Sequence, residues 1–154
     1  MRTIHGDIIR LAKEGAFDVI AHGCNCFHTM GGGLAAQVKH HFPEAYDADL
    51  ETAYGDRAKL GTCSIAVAAT PSGELTIVNA YTQFQPSMGG GVDVDYDAVR
   101  HAMVWLKAHY TRRRIGLPQI GAGLAGGDWN QIQAIMADEL GDEDVSIVIF
   151  SGAT

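Results

Sequence analysis

The stretch His22 to Phe42, HGCNCFHTMGGGLAAQVKHHF, decides how this chain is read. It follows a short apolar run, Phe17 to Ala21, and leads into Leu34, Ala35, Val38 and Phe42, spaced like one face of a helix. A buried strand, a polar turn, three glycines and an amphipathic helix are therefore expected in direct succession. Glycines at a helix start let backbone N–H groups approach a ligand with no Cβ in the way, and first-turn donors have no partner inside the helix. Those donors, together with the positive end of the helix dipole, favour a phosphate. Taken alone, the loop supports an anion cradle and a plain strand-to-helix turn equally, because short glycine-rich signals recur by chance.

The rest of the composition narrows the choice. A chain of 154 residues fits one domain with a single core and needs no disulfide staples. A formal charge of −7 argues against a broad electrostatic grip on nucleic acid or an anionic membrane. An anionic ligand must then be held locally, by oriented backbone. Three cysteines, Cys24, Cys26 and Cys63, form no framework of pairs and point to a reducing compartment. No run is long or apolar enough to span a bilayer, and the start of the chain lacks a basic-then-apolar signal layout. The expected location is the cytoplasm.

Upstream of the glycine triplet, Arg2 to His5 reads as a strand. Asp7 follows as N-cap of a short helix with Ile8, Leu11 and Ala12 facing inward and Gly15 ending it. Asp7 is either a cap alone or also an acceptor for a ligand amine. Downstream, Pro43 to Gly61 is mostly polar and reads as carrying a surface helix around Glu44 to Tyr54. Thr62 to Ala69 and Leu75 to Tyr81 read as strands, and the short link Pro71-Ser72-Gly73-Glu74 makes them antiparallel.

A second triplet, Gly89 to Gly91, lies in Phe84 to Val94 with no amphipathic helix joined to it, so it reads as a surface loop or lid. Asp95 is placed to cap a helix whose face is Tyr96, Val99, Met103, Leu106 and Tyr110. Arg112 to Arg114 complement the dipole at its end. Ile115 to Ile120 is an apolar run with Pro118 near its end, and it enters Gly121-Ala122-Gly123-Leu124-Ala125-Gly126-Gly127-Asp128-Trp129. Trp129, Ile132, Met136 and Leu140 continue as a helix, with Asp128 and Gln131 forming a capping box. Val145 to Phe150 is a last strand, apolar on both faces. About six strands and four or five helices in this order predict a three-layer α/β/α domain with a central mixed sheet, both glycine turns lying beyond the carboxyl ends of strands.

The ordered set G-D-I near the start, H-G-C-N-C before M-G-G-G-L-A, N-A-Y-T-Q after a strand, and P-Q-I-G-A-G-L-A-G-G-D-W resembles the macrodomain family over essentially the whole chain. It is most similar to the branch containing ADP-ribose-1″-phosphate phosphatases, with phage and bacterial relatives. The resemblance implies a single macrodomain, residues 1–154, whose ligand is ADP-ribose or ADP-ribose 1″-phosphate. Asp7 would bind the adenine amine with Ile8 nearby, and Phe150 would lie beside the ring. Asn25 would bond the distal ribose. Gly31, Gly32, Gly33 and Leu34 would follow the distal ribose and diphosphate, facing Gly121, Ala122, Gly123, Leu124 and Ala125.

The same resemblance implies catalysis by His22 and Asn25, releasing phosphate from ADP-ribose 1″-phosphate. His22 would move the proton and Asn25 would orient the ribose and water. The alternatives are a non-catalytic ADP-ribose reader and a hydrolase that frees ADP-ribose from modified protein or nucleic acid. A branch that uses a lysine–aspartate pair differs here at both places, with Gln83 or Phe84 near the expected lysine and Ala125 near the expected aspartate. No metal or cofactor is expected. The close spacing of His22, Cys24, Cys26 and His28 is unlike common zinc sites, and neither loop is a dinucleotide fingerprint. Cys24 or Cys26 would need a positive neighbour or a helix end to become a nucleophile, and sequence proximity to His22 does not establish contact, while Cys63 reads as core.

Overall fold

In the computed structural model, which describes residues 1–151, the chain alternates strands and helices. The strands are β1 (Arg2–Gly6), β2 (Val19–Cys24), β3 (Cys63–Thr70), β4 (Gly73–Tyr81), β5 (Ile115–Leu117) and β6 (Val145–Phe150). The helices are α1 (Ile8–Lys13), α2 (Gly33–His41), α3 (Pro43–Leu50), α4 (Tyr96–Tyr110) and α5 (Trp129–Leu140), with a 3₁₀ turn at Arg57–Lys59. The sheet order is β1-β6-β5-β2-β4-β3. Among the strands of the described residues, only the β3–β4 pair is antiparallel, as the short link between them requires.

Alternation along the strands divides the interior between two layers of helices. Val19 and Ala21 of β2 join Met103 and Leu106 of α4 and Ile132, Met136 and Leu140 of α5 in one core. Ile20 points the other way, to Ile8 and Ala12 of α1 and Val38 of α2. The expected three-layer arrangement with a mixed sheet of six strands is therefore present. Among the described residues no helix is long and apolar enough to cross a membrane.

Several expected boundaries move. The strand expected at Phe17 to Ala21 starts at Val19 and runs on through His22 to Cys24, because His22, Gly23 and Cys24 pair with Asn79, Ala80 and Tyr81 of β4. β5 stops at Leu117, one residue before Pro118, which has no N–H to give a neighbour. The helix expected over Glu44 to Tyr54 is α3, which ends at Leu50 and lies on the surface with Glu44, Asp47 and Leu50 exposed, but it also has a buried face. Ala45 and Asp49 are buried against the sheet, as is Lys59 farther on.

The predicted capping box at Asp128 and Gln131 does not form. Asp128 accepts from the Asn130 N–H at 2.9 Å, while its own N–H donates to the Tyr96 hydroxyl at 3.0 Å. At α4 the expected cap is in place, with the Asp95 carboxylate accepting from Ala98 N–H at 2.9 Å. Asp95→Ala is expected to cost about 1 kcal/mol, read as a lower urea midpoint at unchanged slope.

Candidate functional site: a cleft between two glycine loops

β2 delivers the chain to the carboxyl edge of the sheet, where Asn25 turns it. The Asn25 Oδ1 accepts from Phe27 N–H at 2.8 Å, and its Nδ2 donates to the Thr29 carbonyl at 3.1 Å and hydroxyl at 2.8 Å. Met30 is buried beneath, and the glycines emerge from it into α2. Gly32 is the N-cap and has no side chain to satisfy the first turn. Among the described residues, the N–H groups of Gly31, Gly32, Gly33, Leu34 and Ala35 have no intrachain acceptor.

The second loop leaves β5 through a series of tight turns. Ala122 N–H donates to Gln119 O at 3.2 Å, Gly126 N–H to Gly123 O at 3.0 Å and Gly127 N–H to Gly121 O at 2.7 Å. Gly126 has φ +71°, and a Cβ there would collide with the Gly91 carbonyl, so only glycine fits. The end of the Gly89 to Gly91 loop is tied to this turn, since Asp93 N–H donates to Ala125 O at 2.8 Å. Among the described residues the N–H groups of Gly123, Leu124 and Ala125 are likewise without an intrachain acceptor.

The two loops share one cleft of about 850 Å³. Its lining includes His22, Asn25, Gly31, Gly32, Gly33, Leu34, Gly121, Gly123, Leu124 and Ala125. Leu124 spans it, its Cδ1 lying 3.2 Å from where a Cβ on Gly32 would sit. Four residues of the expected ligand set lie outside that lining. Ala122 is in the second loop but packs against the core of α4 and α5, and Ile8, the first residue of α1, is buried in the opposite core. Asp7 and Phe150 stand at the ends of β1 and β6, on the same carboxyl edge beyond β5, and Phe150 is 73% exposed. Asp7 does cap α1, its Oδ1 accepting from Ile9 N–H at 2.9 Å and Arg10 N–H at 3.3 Å.

His22 sits at the floor of the cleft, 2% exposed, with Nε2 2.7 Å from Asn79 Oδ1. The Asn79 amide nitrogen lies 2.9 Å from the Ala45 carbonyl, which can only accept. That contact fixes the amide orientation, so Asn79 offers its oxygen to His22 and Nε2 carries the hydrogen. Nδ1 is left as the ring's acceptor, with the buried Cys24 Sγ 3.8 Å from it. Burial lowers the basicity of His22, partly offset by the Asn79 hydrogen bond and the negative charge of Asp49, so the ring is neutral near pH 7.

Burial keeps the nearby thiols protonated. Burial raises Cys24 well above its ordinary value, raises Cys26, and pushes Cys63 up to about 12. Among the described residues no three His, Cys, Asp or Glu side chains gather as a metal site. His28, once a conceivable ligand, donates from Nε2 to the Thr52 carbonyl at 2.7 Å.

The state of His22 has a measurable consequence for the fold. A histidine held neutral contributes stability above its unfolded value of about 6.5 and loses it as pH falls below, because the unfolded chain then binds the extra proton. Urea unfolding between pH 7.5 and pH 5 is expected to show that loss, with a limiting slope of about 1.4 kcal/mol per pH unit for one proton. His41, lowered by burial and by Lys13 and His40, acts in the same direction. The difference between wild type and His22→Gln isolates the His22 share.

Some lining residues carried no sequence signal. Pro86 and Ser87 belong to none of the motifs, and they reach the cleft in the loop after β4. Asn79 did carry one: it is an amide inside an otherwise apolar strand, Ile77-Val78-Asn79-Ala80.

No protein-family profile matches the chain. An uncharacterized 17.5 kDa protein from the tk-vs intergenic region of Enterobacteria phage T4 is 40% identical over 141 residues, covering 88% of this chain and 87% of that protein. Among solved structures, the macrodomain of Mycobacterium tuberculosis DarG matches with TM-score 0.72 at 20% identity, over 99% of this chain and 97% of that one. Thermosipho africanus DarTG in complex with ADP-ribose matches with TM-score 0.70 at 17% identity, over 97% of this chain and 41% of that one. A Trypanosoma brucei macrodomain in complex with ADP matches with TM-score 0.63 at 14% identity, over 96% and 61%. The chain thus has the macrodomain fold and belongs to one family with the phage T4 17.5 kDa protein.

Proposed function

We propose that the cleft binds ADP-ribose and that the chain hydrolyses ADP-ribose 1″-phosphate to ADP-ribose and phosphate. The observation that carries the binding is the pair of facing loops whose N–H groups lack intrachain acceptors. Two such rows suit the two phosphates of a diphosphate without any basic side chain, which fits the acidic composition. The adenine lies toward the ends of β1 and β6, with its amine on Asp7, Ile8 alongside and the ring against Phe150. The distal ribose lies over Asn25. An ADP-ribose complex is known for the Thermosipho structure of this fold, which supports the same ligand here.

For the chemistry, neutral His22 takes a proton at Nδ1 from a water whose oxygen bonds to phosphorus. The bond from phosphorus to the ribose oxygen breaks, and the same proton passes to that leaving oxygen. Asn25 orients the ribose and the water. Titration calorimetry with ADP-ribose, ADP, AMP and NAD, alongside phosphate release from ADP-ribose 1″-phosphate, tests both parts. The expected result is preference for ADP-ribose together with turnover. Equal affinity for AMP would reject the ligand, and absence of turnover would reject the phosphatase.

A second reading, a non-catalytic ADP-ribose reader, is favoured by the near-complete burial of His22 and its satisfied Nε2. It predicts the same calorimetry with no phosphate released.

A further inference from the structure

Gln83 follows β4 and lines the cleft at the β4 side, opposite the β1 and β6 end of the sheet. Its stem is held by backbone: the N–H reaches Cys24 O at 3.4 Å, and Gln83 forms an isolated bridge with Val94. Its tip is held as well. The amide nitrogen donates to the Gln85 carbonyl at 2.9 Å and to the Ser87 hydroxyl oxygen at 2.9 Å.

A backbone carbonyl cannot donate, so the orientation of this amide is fixed and Oε1 is the atom left over. Among the described residues Oε1 has no hydrogen-bond partner. Ser87 accepts from Gln83, so its own O–H remains free to donate, and Ser87 also lines the cleft. An acceptor and a donor therefore stand side by side in a half-buried wall, each held before any ligand arrives. A single O–H group is complementary to that pair, because it donates to one atom and accepts from the other.

We propose that Gln83 and Ser87 form a subsite for one O–H group at the end of the ligand remote from the adenine, a placement that rests on the ADP-ribose reading above. The group is a hydroxyl of the terminal sugar or the water that attacks the phosphorus. Neither arginine nor lysine takes part, so the subsite discriminates by hydrogen bonding, and removal of one partner leaves the other unpaired against the ligand.

The test compares wild type, Gln83→Leu and Ser87→Ala for ADP-ribose affinity, ADP affinity and phosphate release. Ser87→Ala is the milder change, because the Gln85 carbonyl still orients the Gln83 amide. If the group is a sugar hydroxyl, both variants lose about tenfold in ADP-ribose affinity while ADP, which lacks that sugar, binds as before. If it is the water, both bind ADP-ribose normally and release phosphate about tenfold more slowly. Equal losses for ADP and ADP-ribose, or wild-type behaviour in both assays, would overturn the subsite. Failure of the wild type itself to bind ADP-ribose is a separate result, and it removes the ligand assignment together with the subsite.

Discussion

Gly32→Glu should leave the chain folded and weaken ADP-ribose binding by about 100-fold or more. Gly32 has φ −140° and ψ 159°, an extended conformation open to any residue. A Cβ there would meet only the tip of Leu124, whose side chain is 58% exposed and free to move. An acidic residue at a helix N-terminus is itself mildly stabilising, so the melting temperature should hold or rise slightly. The carboxylate would occupy the N–H groups of the α2 first turn and repel a diphosphate placed there. Like-charge contact of this kind costs several kcal/mol, and 100-fold corresponds to about 2.7 kcal/mol. Gly32→Gln, of similar length without the charge, should lose much less. ADP-ribose affinity within threefold of wild type for the Glu variant would show that the ligand is held elsewhere. Gly33 is the poorer choice for this test, because its φ of +57° makes any side chain a strain on the fold as well.

The framework of this fold is written in short-range patterns. The apolar faces of α4 and α5, the hairpin of β3 and β4, and the caps at Asp7 and Asp95 are each set by residues near in sequence, and each is where expected. What escaped reading depends on partners distant in the chain. His-Gly-Cys looks like the start of a turn, yet pairing with β4 makes it strand. Asp128 and Gln131 have the spacing of a reciprocal cap, but Tyr96, on another helix, takes the N–H that Gln131 would have served.

The buried polar group beneath the cleft is of the same kind. Asp49 and Lys59 come from a segment whose composition says surface. The Tyr81 hydroxyl donates to Asp49 at 2.7 Å, and the Lys59 ammonium lies 4.6 Å from the centre of the Tyr81 ring. No local periodicity distinguishes a charge that meets solvent from one that meets a tyrosine carried in by β4. At the site, the two glycine loops were legible because strand, glycines and helix succeed one another directly. The tethering of His22, Gln83 and Ser87 was not, because it is built from amide contacts that only the folded chain brings together.

His22→Ala should slow phosphate release by about 100-fold or more, the lower end of what a positioned acid–base group contributes, while changing ADP-ribose affinity less than threefold. The ring is at the floor of the cleft and donates its Nε2 hydrogen to Asn79, so its loss deletes Nδ1, the atom assigned to the proton, without touching the loop amides. It also leaves Asn79 Oδ1 unpaired, at a cost of about 1–3 kcal/mol in stability. Unfolding must therefore be measured beside turnover. Asn79→Ala supplies the control: it strips His22 of its tether but keeps the imidazole, and the Ala45 carbonyl also loses its donor. If His22 acts on the proton, Asn79→Ala should keep part of the activity and shift its pH profile, since the hydrogen bond that raises His22 basicity is gone. Should His22→Ala and Asn79→Ala lose stability alike and both turn over at the wild-type rate, the ring is a structural group beneath the cleft. The proton would then have to pass through another atom.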